Sequence, residues 1–292
     1  MIGAIIGDIV GSPYEGSSIN WVDDKNFPLF ANQFSRFTDD TILTCATADA
    51  ILDLRDRQSK YEELEMFKEE DREPNFSKKY MEWNLKYPGR GYGSGFQQWV
   101  DNGDLNAINP SYANGCMMRC SPIPLFYTDV NMIYNTSLNS IKMTHNSAES
   151  ERGILSIVTS IHMALRDATK LQIKAFVEEQ FGHMLDLTVE EWRTHPKTSI
   201  RCNLSAPQSL VCFMEGTDYE STIRNAVYTK GDTDTTAAIA GSIAEAFYGV
   251  KSIPKEMIEG AKERMTTEMI DLVNKFYSHI GEYQEKCKGF QI

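Results

Sequence analysis

Along most of the chain, apolar residues recur three or four positions apart, the period of a helix with one buried face. Residues 42–54 follow this period. In 153–166, Ile154, Val158, Ile161 and Leu165 share a face, with His162 beside it in what reads as a structural position. Pro207 stands at a first helical position and Gly216 at a C-cap, which predicts a helix between them. A short helix is expected over 217–229. Another opens at Pro254, with Ile258, Ala261, Met265, Leu272 and Phe276 turned inward. The densely charged run 57–79 reads as solvated helix and loop. Loops are predicted at 20–36, 86–115 and 192–206, where Pro, Gly and Asn gather.

Period-two alternation is scarce. "AIIGDIV" (4–10) is the best strand candidate, yet Gly3, Gly7 and Gly11 recur every fourth residue and give a helix a small face for close packing. Ala237, Ala238, Ala240, Gly241 and Ala244 form a second small surface far downstream. There is no tandem repeat, Gly/Ser linker or shift in composition. The prediction is an all-α fold, one multi-helix domain over residues 1–292.

Composition mainly excludes. Twenty-nine basic and 41 acidic residues leave a net charge of −12, which disfavours non-specific nucleic-acid binding. A small anionic substrate remains compatible, held by metal ions, backbone N–H groups or helix N-termini. No apolar run approaches the roughly 18 residues of a membrane span. "MIGAIIGDIVG" has no basic leader and is interrupted by Asp8, so it does not read as a signal peptide, and a cytoplasmic location is expected. Six scattered cysteines suit reduced thiols better than a disulfide framework. The spacings of Cys116, Cys120, Cys202 and Cys212 are not those of zinc motifs.

Two stretches carry candidate chemistry. "FTDDT" (37–41) and "GDTDT" (231–235) both alternate acid and threonine just before a helical run. Either alone reads as a helix N-cap. Together, two turns facing each other would converge four carboxylates, Asp39, Asp40, Asp232 and Asp234, with the hydroxyls of Thr38 and Thr235. Oxygen-only donors without nearby His or Cys suit Mg²⁺ or Mn²⁺. Crowded carboxylates call for cations, and paired metals are a common hydrolytic arrangement.

Six blocks in order resemble the ADP-ribosylglycohydrolase family: "GAIIGDIVGSPYEG" (3–16), "FTDDT" (37–41), "GYGSGFQQW" (91–99), "SYANGCMMRCSPI" (111–123), "THNSAESERG" (144–153) and "KGDTDTTAAIAGSIAEAFYG" (230–249). The resemblance implies an all-α fold with a dinuclear Mg²⁺ or Mn²⁺ centre in a cleft. It implies hydrolysis of the bond from C1 of the distal ribose of ADP-ribose to an acceptor on a protein or small molecule, with ADP-ribose as product. By the same resemblance the metal ligands are Thr38, Asp39, Asp40, Asp232, Asp234 and Thr235. Glu15 matches an acid near the scissile bond. Ser111, Tyr112, Asn114 and Gly115 match the loop that cradles pyrophosphate and distal ribose. His145 matches a histidine on the ribose side, and Gly91 and Gly93 match a glycine loop near the phosphates. Asp39 or Asp40 is expected to take the proton of a metal-bound water, with Glu15 assisting, in a monomer that touches nucleic acid only as a modified substrate.

Three positions depart from the family pattern: Ala113 replaces a glycine, "HNSAES" lacks a second histidine and a proline, and Lys230 replaces a glycine. Lys230 is expected to pair with an acid, contact a phosphate or point to solvent. Other metal-dependent nucleotide or phosphoester hydrolysis, and a non-catalytic ADP-ribose-binding or crystallin-like role, stand as alternatives.

Overall fold

The computed structural model describes residues 1–16, 21–31, 34–64, 73–195, 200–281 and 284–292. Residues 65–72 of the charged run, and parts of the predicted loops at 20–36 and 192–206, lie outside the described residues. In chain order the helices are α1 (Ile2–Gly11), α2 (Asp39–Leu64), α3 (Phe76–Lys86), α4 (Ser94–Asn102), α5 (Pro122–Phe126), α6 (Val130–Ile141) and α7 (Ala148–Leu165). They continue with α8 (Lys170–Phe181), α9 (Val189–Thr194), α10 (Cys202–Glu215), α11 (Tyr219–Tyr228), α12 (Thr233–Tyr248), α13 (Lys255–Lys262) and α14 (Thr267–Ile280). Among the described residues there is no strand, only an isolated antiparallel bridge between Ala113 and Arg201. No described helix is long and apolar enough to cross a membrane.

The stretch with the best strand signal is helical because its glycines meet another backbone. All ten residues of α1 are buried, and a helix apolar on every side belongs in a core. α1 runs antiparallel to α12. A Cβ built on Gly3 would lie 2.5 Å from the Gly241 carbonyl oxygen, and one on Gly11 2.5 Å from that of Thr233. One on Gly7 would run into the Ala237 carbonyl group. The small faces at 3, 7, 11 and 233, 237, 241 are therefore one contact between two four-residue ridges. Ile2, Ile5, Ile6, Ile9 and Val10 are fully buried around it, at about 1.5–3 kcal/mol each.

Local chemistry starts several helices. Thr169 with Gln172, Thr188 with Glu191 and Asp218 with Ser221 form reciprocal capping pairs at α8, α9 and α11. The predicted loop 86–115 contains α4, because Phe96, Trp99 and Val100 bury one short face before Gly103 ends the helix at φ 66°. Helix α10 starts at Cys202 and holds Pro207 inside it, since burial of Cys202, Ser205 and Ala206 extends the helix past the proline. The helix expected from Pro254 is two: α13 ends at Lys262, and Thr266 caps a new start at α14. Ala261, Met265 and Phe276 are buried as expected, while Ile258 and Leu272 are half-buried. His162 accepts from Arg166 Nε at 3.1 Å. One hydrophobic cluster runs from α1 through α14 to Phe290.

Candidate active site

The antiparallel contact of α1 and α12 places the C-terminal end of α1 beside the N-terminus of α12. Asp8, on the inner side of α1, is fully buried and receives the start of α2. Its Oδ2 accepts from the backbone N–H groups of Thr38 (2.9 Å) and Thr41 (3.1 Å), and its Oδ1 from the Thr38 hydroxyl (2.7 Å). The N-cap of α2 thus comes largely from another helix. Thr38, expected as a local cap, contributes only a long contact from Asp40 N at 3.4 Å. A helix N-terminus carries unsatisfied donors and partial positive charge, which suits an acceptor that is itself an acid.

The second acidic stretch enters α12 through two left-handed residues, Lys230 (φ 69°) and Gly231 (φ 85°). The Gly231 carbonyl accepts from Gly16 N at 3.1 Å, which holds Glu15 over the same turn. Asp232 Oδ2 accepts from Asn114 Nδ2 at 2.6 Å. Thr235 Oγ1 donates to Asp40 Oδ2 at 3.2 Å, and Thr38 Oγ1 lies 3.4 Å from the same oxygen. Residues 38–40 and 232–235 therefore meet, as the paired motifs predict.

Among the described residues, two groups of carboxylates have oxygens within 4.8 Å of one another: Asp8, Asp40 and Asp234, and Glu15, Asp232 and Asp234. Asp234 is shared. Burial, then the neighbouring carboxylates, push Asp40 and Asp234 well above the ordinary carboxyl range. Burial also raises Asp8, against the hydrogen bonds it accepts, and raises Glu15 with help from Asp232. Asp39 belongs to neither group; burial and the Asp8 charge push it up to about 8. Asp40 Oδ1 is buried with no hydrogen-bond donor among the described residues. An orphaned carboxylate oxygen among like charges is costly unless a cation meets it. The all-oxygen donor set fits a hard divalent cation.

Apart from Asp8, these carboxylates line a cleft of about 430 Å³, with buried Asp40 and Asp234 at its base and exposed Glu15 at its rim. Every residue expected at the site lines it except Thr38, which sits beneath, bonded to Asp8 and near Asp40. Gly91 (φ 101°) lets its loop lie against Asp39: a Cβ there would come 2.9 Å from Asp39 Oδ1. Asp39 N also donates to Arg90 O at 2.8 Å. Gly93 precedes α4, whose N-terminus has no side-chain cap and opens on the cleft. On the facing wall, Ser111 O accepts from the Ser147 and Ser150 hydroxyls at 2.9 Å each. The loop then pairs with 200–202 through Asn114 N to Ile200 O (2.7 Å) and Cys202 N to Tyr112 O (3.1 Å). Ala113 N donates to Ser111 Oγ at 3.2 Å. Two of the loop's N–H groups are thereby engaged within the protein, so the 111–115 backbone is a narrower anion cradle than the sequence reading allows. His145 Nε2 stands 3.2 Å from where a Cβ on Gly115 would be.

Two residues of the site escaped the sequence reading. Asp8 was visible as the lone acid in an apolar run, but its role depends on a partner 30 residues away. Arg119 follows the 111–115 loop and is a buried guanidinium in the cleft wall. Lys230 pairs with no acid among the described residues: its ammonium sits 4.8 Å over the Trp21 ring. All six cysteines are buried and unbridged, and no described cation-binding group includes one.

The sequence profile of ADP-ribosylglycohydrolase matches residues 1–286. The chain belongs to the ADP-ribosylglycohydrolase family. That is the family its six blocks resemble. Among curated relatives, ADP-ribosylhydrolase ARH3 of Mus musculus is 25% identical, covering 90% of this chain and 87% of its own. The Homo sapiens ARH3 is likewise 25% identical, covering 90% and 89%. ADP-ribosylarginine hydrolase Tri1 of Pseudomonas putida (strain GB-1) is 23% identical, covering 89% and 72%. A solved structure described as an ADP-ribosylglycohydrolase-related protein complex shares the fold, with a TM-score of 0.69 and 23% identity over 96% of this chain and 95% of that one. The left-handed backbone at Lys230 is one that a glycine adopts without strain.

Proposed function

We propose that this ADP-ribosylglycohydrolase-family chain, acting as one domain, hydrolyses the bond between C1 of the distal ribose of ADP-ribose and an acceptor, with two Mg²⁺ or Mn²⁺ ions held by Thr38, Asp39, Asp40, Asp232, Asp234 and Thr235. The observation that carries this reading is the buried, unpartnered Asp40 Oδ1 among converging carboxylates at the base of the cleft. When bound, the cations would lower the pKa of a water at the site.

The protein's own groups divide the remaining work. Asp40 Oδ2 is engaged by Thr235, whereas Asp39 lies outside both close groups and lines the cleft. Asp39 is therefore the better placed to accept the proton of the attacking water at a carboxylate oxygen. Glu15, at the rim beside Asp232, holds a proton more readily than an ordinary glutamate and serves to protonate the departing acceptor. The carboxylates around C1 stabilise the positive charge that develops on the ribose. The uncapped N-terminus of α4 supplies N–H donors for the pyrophosphate, which lets a protein of charge −12 bind it without a basic patch.

The test is release of ADP-ribose from defined ADP-ribosylated arginine, serine and small-molecule substrates, with Mg²⁺ or Mn²⁺ and with excess EDTA. At least one substrate should be cleaved, with activity lost in EDTA and in Asp40→Ala or Asp234→Ala while the far-ultraviolet spectrum is kept. Full activity in EDTA, or cleavage confined to nucleotide phosphoesters, overturns the reading.

A further inference from the structure

Arg119 is fully buried, with its guanidinium carbon 4.1 Å over the ring of Tyr80 on α3 and 5.8 Å from that of Phe96 on α4. The two rings fix its plane. Its Nη2 donates to Thr144 Oγ1 at 2.6 Å. The same oxygen lies 3.0 Å from His145 Nδ1. Thr144 and His145 are both buried, just beyond α6.

The chemistry of the three groups sets the direction of these bonds. Arginine only donates, so Thr144 Oγ1 accepts from it. The hydroxyl hydrogen of Thr144 then needs an acceptor, and among the described residues none but His145 Nδ1 is within reach. With Nδ1 accepting, the neutral ring carries its proton on Nε2. Nε2 is the atom set against Gly115, and both residues line the cleft. Burial first, and the Arg119 charge second, hold His145 well below its ordinary range, so the ring is neutral.

We propose that Arg119 and Thr144 are positioning residues: the relay Arg119–Thr144–His145 locks His145 as a hydrogen-bond donor, through Nε2, to a ribose or phosphate oxygen of the bound ADP-ribose group. The ligand half of this statement rests on the functional reading above; the tautomer half does not. A serine keeps the relay at position 144, and a valine keeps the shape without it.

The experiment is nitrogen NMR of the full chain labelled at histidine, free of ligand, near neutral pH. The chain has five histidines, and the spectrum of His145→Gln assigns the signal of interest. The expected result is one tautomer for His145, bare at Nδ1 and protonated at Nε2. A ring protonated at Nδ1, or an imidazolium, overturns the relay whatever the variants do. Thr144→Ser should keep both that signature and the affinity for ADP-ribose. Thr144→Val should lose the single tautomer and bind ADP-ribose about tenfold more weakly by calorimetry, the size of one hydrogen bond. A folded Thr144→Val with wild-type affinity overturns the proposal. Where Thr144→Val does not fold, the wild-type spectrum still decides. An intact tautomer in a protein that releases no ADP-ribose would sink the functional reading and leave the relay standing.

Discussion

Removing the Asp8 carboxylate separates two roles that one side chain fills. It accepts three hydrogen bonds at the start of α2, two of them from backbone N–H groups that nothing else among the described residues satisfies. Asp8→Ala leaves those two donors buried and unpaired, at about 1–3 kcal/mol each, or about 2–6 kcal/mol together. The Thr38 hydroxyl loses less, because Asp40 Oδ2 lies 3.4 Å away. Both Asp8→Ala and Asp8→Asn remove a negative charge from the cluster, which relieves repulsion when no cation is bound. Asp8→Asn, however, keeps an acceptor where Oδ2 stands. The difference between the two variants therefore isolates the capping role. In urea titrations of the cation-free proteins, Asp8→Ala should be less stable than Asp8→Asn by about 2–6 kcal/mol. Asp8→Asn should also bind Mn²⁺ about 10–100-fold more weakly than the parent, the usual cost of a lost supporting group at a metal site. Equal midpoints for the two variants would refute the cap supplied from α1. Unchanged Mn²⁺ affinity in Asp8→Asn would refute its share in the cation site.

Other consequences follow from the same geometry. Gly7→Ala drives a methyl group into the Ala237 backbone, which has no side chain to move aside; it should cost about 3 kcal/mol or more, and a wild-type melting temperature would contradict the ridge contact. Lys230→Gly removes a left-handed strain worth about 1–2 kcal/mol against the lost ring contact and added chain entropy; a net gain of up to about 1 kcal/mol is expected, and calorimetry showing a loss would count against it. The pH dependence has a definite sign. Asp39, Asp40, Asp234 and Asp8 are all raised in the fold, so the folded protein binds more protons than the unfolded chain above the ordinary value of 3.8. The cation-free protein should therefore lose stability as pH rises from 6.5 toward the Asp39 value of about 8, a window above that in which His145 and His183, both lowered by burial, take up protons. Saturating Mg²⁺ or Mn²⁺ should flatten this slope; a melting temperature in EDTA that climbs over the same window would be the contrary result.

The sequence by itself determined the fold class and picked out most of the acidic and hydroxyl groups that meet in the cleft. Apolar spacing of three and four residues is a local property, and it is enough to predict helices. Acid and threonine crowded before two helical runs is costly without a cation, and that chemistry is readable without coordinates. Element limits were less legible. Helix α4 hid among glycines, Pro207 marked the inside of α10 rather than its start, and Thr266 divided the helix expected from Pro254. In the first two cases burial against distant residues outweighed a local signal; at Thr266 a second local signal, an N-cap, divides the run.

Only the tertiary structure decided which side chains meet. The glycines at 3, 7 and 11 appear in the sequence as a small face without a partner. Their match to 233, 237 and 241 depends on two backbones at near contact, and it brings Asp8 and Glu15 to Asp232 and Asp234. Asp8 could not be assigned from its neighbours, because the donors it satisfies begin a helix 30 residues later. The direction of the Arg119–Thr144–His145 relay needed distances, since hydrogen bonds are set within tenths of an ångström and sequence spacing carries no such scale.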